Sequence, residues 1–133
     1  MKIIDVEGIG TSSAAKLVEA GITTTAAFLE AAATDKGRTE LAAKTGISKN
    51  LLLEWANHVD LMRINGIGSE FSDLLEAAGV DSCTELAQRN ASNLHATVID
   101  LNVAKKLVRQ VPSEEQIQAW ITEAKTLPKL ITH

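Results

Sequence analysis

The chain has 133 residues, of which 45% are hydrophobic and only 3% aromatic, and its formal net charge is −4. This length suits one ordinary domain or two small ones. The mild negative charge provides no long-range attraction to nucleic acid, and no apolar run approaches the roughly 20 residues that a transmembrane helix needs. The single cysteine, Cys83, excludes an intrachain disulfide, and the N-terminus lacks a signal-peptide core. These features predict a soluble, cytoplasmic protein.

Apolar residues at helical spacing predict a series of short helices in the first half of the chain. Residues 1–7 are too short for a full helix. Residues 34–37 predict a loop, and Ser48 is a suitable N-cap for the helix that follows it. We expect helices over about residues 11–20, 26–33, 38–44 and 49–62.

The second half continues in the same way, and its clearest helix starts are two capping boxes. Ser82 and Ser113 each stand three residues before a Glu or a Gln, and Pro112 stops the helix that precedes the second box. We expect helices over about residues 83–89, 103–111 and 114–127, and a turn followed by a helix within the less regular stretch 90–102. No stretch alternates with period two, so the sequence predicts an all-α fold.

Two Gly-Ile-Gly segments, at residues 8–10 and 66–68, precede two of these helices. Two glycines around one apolar residue allow a tight turn with positive φ at both glycines. The helix that leaves each turn begins with unpaired backbone N–H groups that point out of the turn. Each of these helices ends at a glycine, Gly21 in the first case and Gly79 in the second. The chain is therefore organised around two equivalent turns.

The two turns belong to a longer internal repeat. An offset of 58 residues matches the first turn and its helix with the second, and an offset of 65 matches Trp55 with Trp120. The second copy therefore carries about seven additional residues, which are most simply placed between Arg89 and Val103. Matched glycines and matched tryptophans together predict an internal duplication.

A glycine, an apolar residue and a glycine between helices, with the second helix ending near Ala-Gly-Ile, resemble the helix-hairpin-helix motif. Residues 41–48 resemble the degenerate second hairpin of paired helix-hairpin-helix domains, as found in RecA-like recombinases and in the C-terminal domain of the RNA polymerase alpha subunit. As a whole, the chain is similar to a family of uncharacterised bacterial proteins with a domain of unknown function. The resemblance implies two tandem helix-hairpin-helix (SAM-like) units, 1–62 and 63–133, which share the helix over 49–62.

In the helix-hairpin-helix family the hairpin can bind the nucleic-acid backbone without reading its sequence. Free N–H groups at the turn and the helix N-terminus form a nest of phosphate size, and the helix dipole favours a negative charge there. The resemblance implies such a site at the first turn, although Asp5 and Glu7 oppose it. The implied nucleic-acid-binding residues are Gly8, Ile9, Gly10, Thr11, Ser12, Lys16, Lys44 and Lys49.

The second turn is less suited to phosphate. Glu70 and Asp73 stand where phosphate-compatible residues are needed. Its companion hairpin is also lost, because residues 111–112 replace the Gly-Ile pair of the first unit. We therefore interpret a set of four residues as a purely structural hairpin: Gly66, Ile67, Gly68 and Ser69.

No other group of residues predicts chemistry. The three histidines are scattered, and no catalytic triad, P-loop or carboxylate pair is visible, so we expect no enzyme activity, cofactor, metal site or small-molecule substrate. Lys105, Lys106 and Arg109 form a basic cluster, which is either a solvated helix surface or a docking point for an acidic partner.

Two functions of a non-catalytic binding module remain open. The first is weak, sequence-independent binding of nucleic acid through the first turn. The second is protein–protein scaffolding with purely structural hairpins. The family resemblance favours nucleic acid, whereas the net negative charge and the acidic second turn favour scaffolding.

Overall fold

The structure is a computed structural model that describes residues 1–133. It contains eight α-helices, one short 3-10 helix at Ile3–Asp5 and no β-strand, which confirms the predicted all-α class. No helix is long and apolar enough to cross a membrane. The α-helices are α1 (Thr11–Glu19), α2 (Thr25–Ala32), α3 (Asp35–Thr45), α4 (Lys49–Leu61), α5 (Ser69–Ala77), α6 (Cys83–Ala87), α7 (Ala91–Lys105) and α8 (Glu114–Ala124).

The chain divides into two compact units. The first unit comprises Met1–Asp60 together with Leu130–His133, and the second comprises Leu61–Lys129. The first unit contains α1 to α3 and nearly all of α4, whereas the second contains α5 to α8.

The first unit is closed by the last residues of the chain. Arg38 on α3 is only 2% exposed, and its guanidinium donates hydrogen bonds to the carbonyl oxygens of Ala32 and Thr132 at 2.9 and 2.6 Å. The N–H of Thr132 in turn donates to the carbonyl of Ala33 at 2.8 Å. A buried guanidinium is stable only when its donors are paired, so Arg38 fixes this tail. Around it, α2 packs against α3, and the 3-10 helix packs against α1.

The second unit has its own hydrophobic core. Helix α8 packs against α6 and α7, and α5 packs against α7. Trp120 on α8 is buried and meets the ring of Phe71 at a centroid distance of 5.3 Å and an interplanar angle of 51°. This tilted arrangement is one that aromatic pairs favour. The largest fully buried side chains of this core are Leu61, Ile64, Leu74, Leu75, Leu86, Leu94, Ile117 and Ile121.

Six of the eight helices begin with a side-chain cap, in which an oxygen accepts a hydrogen bond from a backbone N–H three residues further on. The predicted capping box of α8 is complete, because Gln116 also bonds back to the N–H of Ser113. Helices α1 and α5 instead follow Gly10 and Gly68 and have no side-chain cap. The six capping residues are Thr24, Thr34, Ser48, Ser82, Asn90 and Ser113.

The loop predicted over residues 34–37 is wrong. Thr34 is the N-cap, and α3 already begins at Asp35 because the Thr34 hydroxyl accepts the N–H of Gly37 at 3.0 Å. A glycine in the first helical turn is tolerated when the cap fixes that turn. Sequence reasoning treated Gly37 as a loop residue and therefore started the helix late.

The prediction of a helix over residues 103–111 is also wrong. A single helix, α7, runs from Ala91 to Lys105, and Lys106 ends it with a left-handed backbone at φ 52. The carboxamide of Asn102 then donates to the carbonyl of Val108 at 3.1 Å and accepts from its N–H at 2.9 Å. These two bonds replace the helical bonds that Val108 would make, so the chain turns away before Pro112.

The two units differ in length at one particular place. Helix α7 has 15 residues, and α3, at the corresponding place in the first unit, has 11. After the left-handed residue, the connection runs from Lys106 to Ser113 in the second unit but only from Gly46 to Ser48 in the first. With α7 matched to α3, the additional residues are divided between α7, most of which lies within the predicted range 89–103, and the connection after it.

Candidate nucleic-acid interface

The first turn, Gly8–Gly10, is open around its glycines. Gly8 has φ 96 and Gly10 has φ 82, values that side chains with a Cβ rarely adopt. A Cβ at either position would meet no atom within 4 Å. Ile9 between them is 4% exposed, so the two exposed glycines form the accessible part of the turn. The turn is thus anchored by one apolar side chain and exposes bare backbone.

Helix α1 leaves this turn with free donors at its N-terminus. Its first backbone bond is donated by Ala14 to the carbonyl of Gly10 at 3.0 Å, and Gly10 provides no side-chain cap. No side chain accepts a hydrogen bond from the N–H groups of residues 11–13, and the first turn of α1 contains no acidic residue. Thr11 and Ser12 are exposed beside these donors. Unpaired N–H groups and the positive end of the helix dipole therefore coincide here.

Two of the three predicted lysines lie together. Lys16 and Lys44 line one groove of about 470 Å³, together with Glu19, Ala20 and Thr45. Both lysines are exposed, and neither forms an ion pair. Along α1 the rise from residue 11 to residue 16 is about 7.5 Å, so Lys16 stands beyond the helix start and not at it.

The third predicted lysine is already engaged. Lys49 Nζ lies 2.6 Å from a carboxylate oxygen of Asp35, and its side chain is 42% exposed. The hydrogen bond from Lys49, followed by its charge, lowers the pKa of Asp35 below its ordinary value. This ion pair leaves Lys49 less free than Lys16 or Lys44 to meet an external anion.

In the second turn, Gly66–Gly68, the first glycine has a positive φ like that of Gly8, but its neighbours are different. Gly66 has φ 91, and a Cβ there would lie 3.1 Å from Nε1 of Trp120. The N–H of Asn65 donates to a carboxylate oxygen of Glu123 at 3.1 Å. No side chain accepts from the N–H of Glu7, the residue before Gly8 in the first turn. An indole and an internal carboxylate thus lie against Gly66 and Asn65 in the second turn, although Gly66 and Gly68 are exposed, as Gly8 and Gly10 are.

The second glycine of this turn departs from the prediction. Gly68 has φ −98 and ψ −169, an extended conformation that residues of any type adopt. The expectation of positive φ at both glycines is therefore wrong at Gly68, although it holds at Gly10. Ser69 follows as a half-buried residue whose hydroxyl lies 3.9 Å from the sulfur of Met62. Glu70 then places an acid in the first turn of α5.

Sequence reasoning did not find three residues that shape these turns. Trp120 and Glu123 reach the second turn from α8, and Glu19 lines the same groove as the two lysines. The repeat matched Trp120 with Trp55 without placing either beside a turn. No local pattern tells where a side chain more than 50 residues away will point, so these contacts of the second turn could not be predicted from the sequence.

Comparison with known proteins identifies the family of the chain but no activity. A family described as a domain of unknown function, DUF4332, matches residues 7–127, which is most of the chain. This agrees with the resemblance to an uncharacterised family inferred from the sequence. Neither a curated protein nor a solved structure matches the chain.

Proposed function

The chain belongs to the DUF4332 family, and we propose that it is a non-catalytic binding module that contacts the phosphate backbone of nucleic acid through its first turn. In this proposal the two units are tandem helix-hairpin-helix units. The first is the binding unit and the second turn is architecture. Binding is independent of base sequence, because backbone N–H groups recognise phosphate and do not reach base edges.

The observation that supports the proposal is the combination of an open turn with an uncapped helix. Gly8 and Gly10 leave space for an anion to approach the backbone, and α1 presents the unpaired N–H groups of residues 11–13. Such a helix N-terminus attracts phosphate because its donors and its dipole act together. In the six capped helices a side-chain oxygen already takes up one of these donors, and α5, the other uncapped helix, has the acid Glu70 in its first turn.

The two free lysines extend this contact to a second phosphate. Lys16 stands about 7.5 Å along α1 from Thr11, so it and the helix start contact different phosphates of one strand. Lys44 faces the same groove from α3. Contact with only two or three phosphates gives weak binding, of the order of 10⁻⁴ M at physiological salt, and a salt dependence with a log–log slope of about −2.

Protein–protein scaffolding is the second candidate, and the acids near the first turn favour it. Asp5 and Glu7 are exposed just before Gly8, and Glu19 lies in the groove beside Lys16 and Lys44. Like charge at these positions repels phosphate. Under this alternative the lysine–glutamate groove binds a zwitterionic protein surface, and DNA binds to the chain no better than to any protein of this charge.

Fluorescence anisotropy with a labelled DNA duplex of mixed sequence separates the two candidates. We expect binding that weakens between about 50 and 200 mM salt. Lys16→Glu and Lys44→Glu should each weaken it by about two- to fivefold, the effect of one exposed charge contact. Lys125→Glu, which changes an exposed lysine of the second unit, is the matched control.

Two results would favour scaffolding instead. One is the absence of DNA binding at the lowest salt concentration. The other is an equal loss for Lys125→Glu and for Lys16→Glu, because binding would then follow net charge and not the first turn.

A further inference from the structure

Helix α7 carries apolar side chains on two sides. Leu94 and Val98 are buried in the core of the second unit. Away from that core, Ile99 is 39% exposed, and Val103 is 76% exposed, the highest value among the large hydrophobic residues of the chain. The second apolar side of α7 is therefore left uncovered by the chain.

The exposed side chains of this second side follow the spacing of a helix-packing seam. Successive members are separated by four, three and four residues, the spacing of the a and d positions of paired helices. At about 100° per residue, all four lie within an arc of about 60°, roughly opposite the buried Leu94 and Val98. We call this the α7 seam, and it consists of four exposed residues: Ser92, Ala96, Ile99 and Val103.

The α7 seam is ordered by side-chain size. Ser92 and Ala96 form its small half, and the β-branched Ile99 and Val103 form its large half. If two seams pack antiparallel, Ser92 of one copy meets Val103 of the other, and Ala96 meets Ile99. Each of the four layers then joins one small and one branched side chain, an alternation that lets facing layers interdigitate. A parallel pair would instead put small against small at one end and large against large at the other.

The polar residues beside the seam match in the same antiparallel arrangement. Asn93 and Asp100 are exposed on one side of it, about 70–90° from its centre. In the antiparallel pair, Asn93 of one copy lies within about 3 Å of Asp100 of the other along the helix axis. A carboxamide N–H can donate to a carboxylate oxygen, and two-fold symmetry forms this pair twice.

The charges of α7 do not oppose this arrangement. Asp100 is the only Asp, Glu, Lys or Arg within residues 92–104, and its two copies lie about 7.5 Å apart along the axis. Lys105 lies about 200° around the helix from Val103 and so points away from the seam. No like charges therefore face each other across the four layers, and each Asp100 faces a hydrogen-bond donor.

We propose that the α7 seam is a self-association surface, on which α7 of a second copy of the chain packs antiparallel. A two-fold contact requires that each residue find its partner on the same surface, and both the order of sizes and the Asn93–Asp100 pair meet this requirement. Four layers bury less than the roughly 1,200 Å² of a standard interface, so the dimer is weak and reversible, with a Kd of the order of 10⁻⁴ M. The proposal goes beyond nucleic-acid binding, because it uses α7 alone.

Other occupants fit the α7 seam less well. A membrane-surface helix usually carries Trp, Phe or Leu on its apolar face and Lys or Arg on its polar face, whereas this seam has no aromatic residue and is flanked by Asp100. An unrelated helix with a uniform apolar face would fill the space beside Ser92 and Ala96 or beside Ile99 and Val103, but not both. A second copy supplies the reversed order of sizes that the seam needs.

Analytical ultracentrifugation of the full chain without nucleic acid, between about 20 µM and about 1 mM, tests the proposal. We expect a reversible monomer–dimer equilibrium. Val103→Glu places a charge in an outer layer of the seam and should weaken association by at least about tenfold. Ala104→Glu makes the same change of charge at an exposed position of the same helix, about 100° from Val103, and should match the unmodified chain. A thermal melt of each variant confirms that it is folded.

A second pair of variants tests the antiparallel register. Asn93→Lys should strengthen the dimer by about threefold or more, because two new ion pairs form with Asp100 of the opposite copy. Asn93→Lys/Asp100→Asn should lose this gain, since the carboxylate is then absent. In a parallel pair, position 93 of one copy and Asp100 of the other would lie about 10.5 Å apart along the axis, and no gain is expected.

Three results would overturn the proposal. The first is a chain that stays monomeric up to about 1 mM, and the second is equal association of Val103→Glu and Ala104→Glu. The third is a gain by Asn93→Lys that persists in Asn93→Lys/Asp100→Asn. If the monomeric chain instead binds phosphatidylserine vesicles and Val103→Glu abolishes this binding, the occupant of the seam is a membrane. None of these outcomes depends on DNA binding, so the proposal can fail while the first turn still binds phosphate.

Discussion

The two Gly-Ile-Gly turns have the same sequence and opposite surroundings. At the first turn, Gly8 and Gly10 have open space beside them, and the helix that follows has free N–H groups. At the second turn, the Trp120 indole lies against Gly66, and Glu123 accepts the N–H of Asn65. The same three residues therefore do not fix one backbone shape, and residues distant in sequence decide what lies beside the turn.

Two acidic groups lie beside the second turn and at the start of the helix that follows it. In the second unit a carboxylate from α8 already pairs with a backbone N–H beside the turn, and an acid, Glu70, stands in the first helical turn. In the first unit no side chain accepts the N–H of Glu7, the residue equivalent to Asn65, and Ser12 stands at the position equivalent to Glu70. The first N–H groups of α5 are uncapped like those of α1, so we interpret Glu70 and the contacts of Trp120 and Glu123 as the features that make the second turn less suited to an external anion.

The largest expected effect comes from adding a methyl group at the first glycine of each turn. Gly8→Ala and Gly66→Ala both force a side chain into positive φ, at a cost of about 1–3 kcal/mol. Gly66→Ala must also displace the buried Trp120, which adds about 1 kcal/mol or more. We therefore expect urea denaturation to show a greater loss of unfolding free energy for Gly66→Ala. Equal losses would mean that the Trp120 side chain can move aside without cost and does not restrict the second turn.

At the second glycine of each turn, substitution should destabilise the first turn more than the second. Gly10→Ala places a side chain at φ 82 and ψ 154, a region that is almost restricted to glycine, and should cost about 1–3 kcal/mol. Gly68→Ala keeps an ordinary extended backbone, with no atom within 4 Å of the new Cβ, and should change the unfolding free energy by less than about 0.5 kcal/mol. A strong destabilisation by Gly68→Ala would contradict the difference between the two turns.

Removal of the internal carboxylate should have a smaller effect. Glu123→Ala takes away the acceptor of the Asn65 N–H, and we expect a loss of about 0.5–1.5 kcal/mol in unfolding free energy, the usual worth of one hydrogen bond. Glu123→Gln keeps an acceptor oxygen and should lose less. If both variants are as stable as the unmodified chain, the contact does not help to fix the second turn.

The smallest expected effect on folding is that of an acid at the start of α1. Ser12→Asp lies near a helix N-terminus, where the dipole makes it neutral or stabilising by up to about 1 kcal/mol. The same carboxylate competes with phosphate for the N–H groups and should weaken DNA binding by about two- to fivefold. Glu70→Ser, the reverse change at the equivalent position, should alter DNA binding less. Thermal melts and DNA titrations on both variants check this, and unchanged binding by Ser12→Asp would exclude the first turn as the contact.

Local signals in the sequence were sufficient for much of the fold. Helices α1 and α4 begin where their apolar spacing and the Ser48 cap predict, and the capping box at Ser113 starts α8 as expected. The end of α7 was not predictable in this way. It depends on a left-handed lysine, which is uncommon for a residue with a Cβ, and on an Asn102 side chain that bonds to backbone six residues further on.

The candidate site was predictable only in part. The sequence indicated the residues of the first turn, and the structure places Lys16 and Lys44 at one groove. It did not reveal that Lys49 is paired with Asp35, because ion pairs between helices depend on how those helices pack. Nor did it reveal that Gly68 is extended, because a Gly-Ile-Gly sequence permits positive φ without requiring it.

The most direct test of the central claim compares the backbone amides of the two turns during a titration. Two-dimensional ¹H–¹⁵N NMR of the uniformly labelled full chain, with an unlabelled DNA duplex added at low salt, reports each N–H separately. The account predicts progressive, saturable shifts for the amides of residues 8–13 and little change for those of residues 66–71. Equal shifts at both turns, or shifts at the second turn alone, would contradict the claim that the first turn, and not the second, binds phosphate.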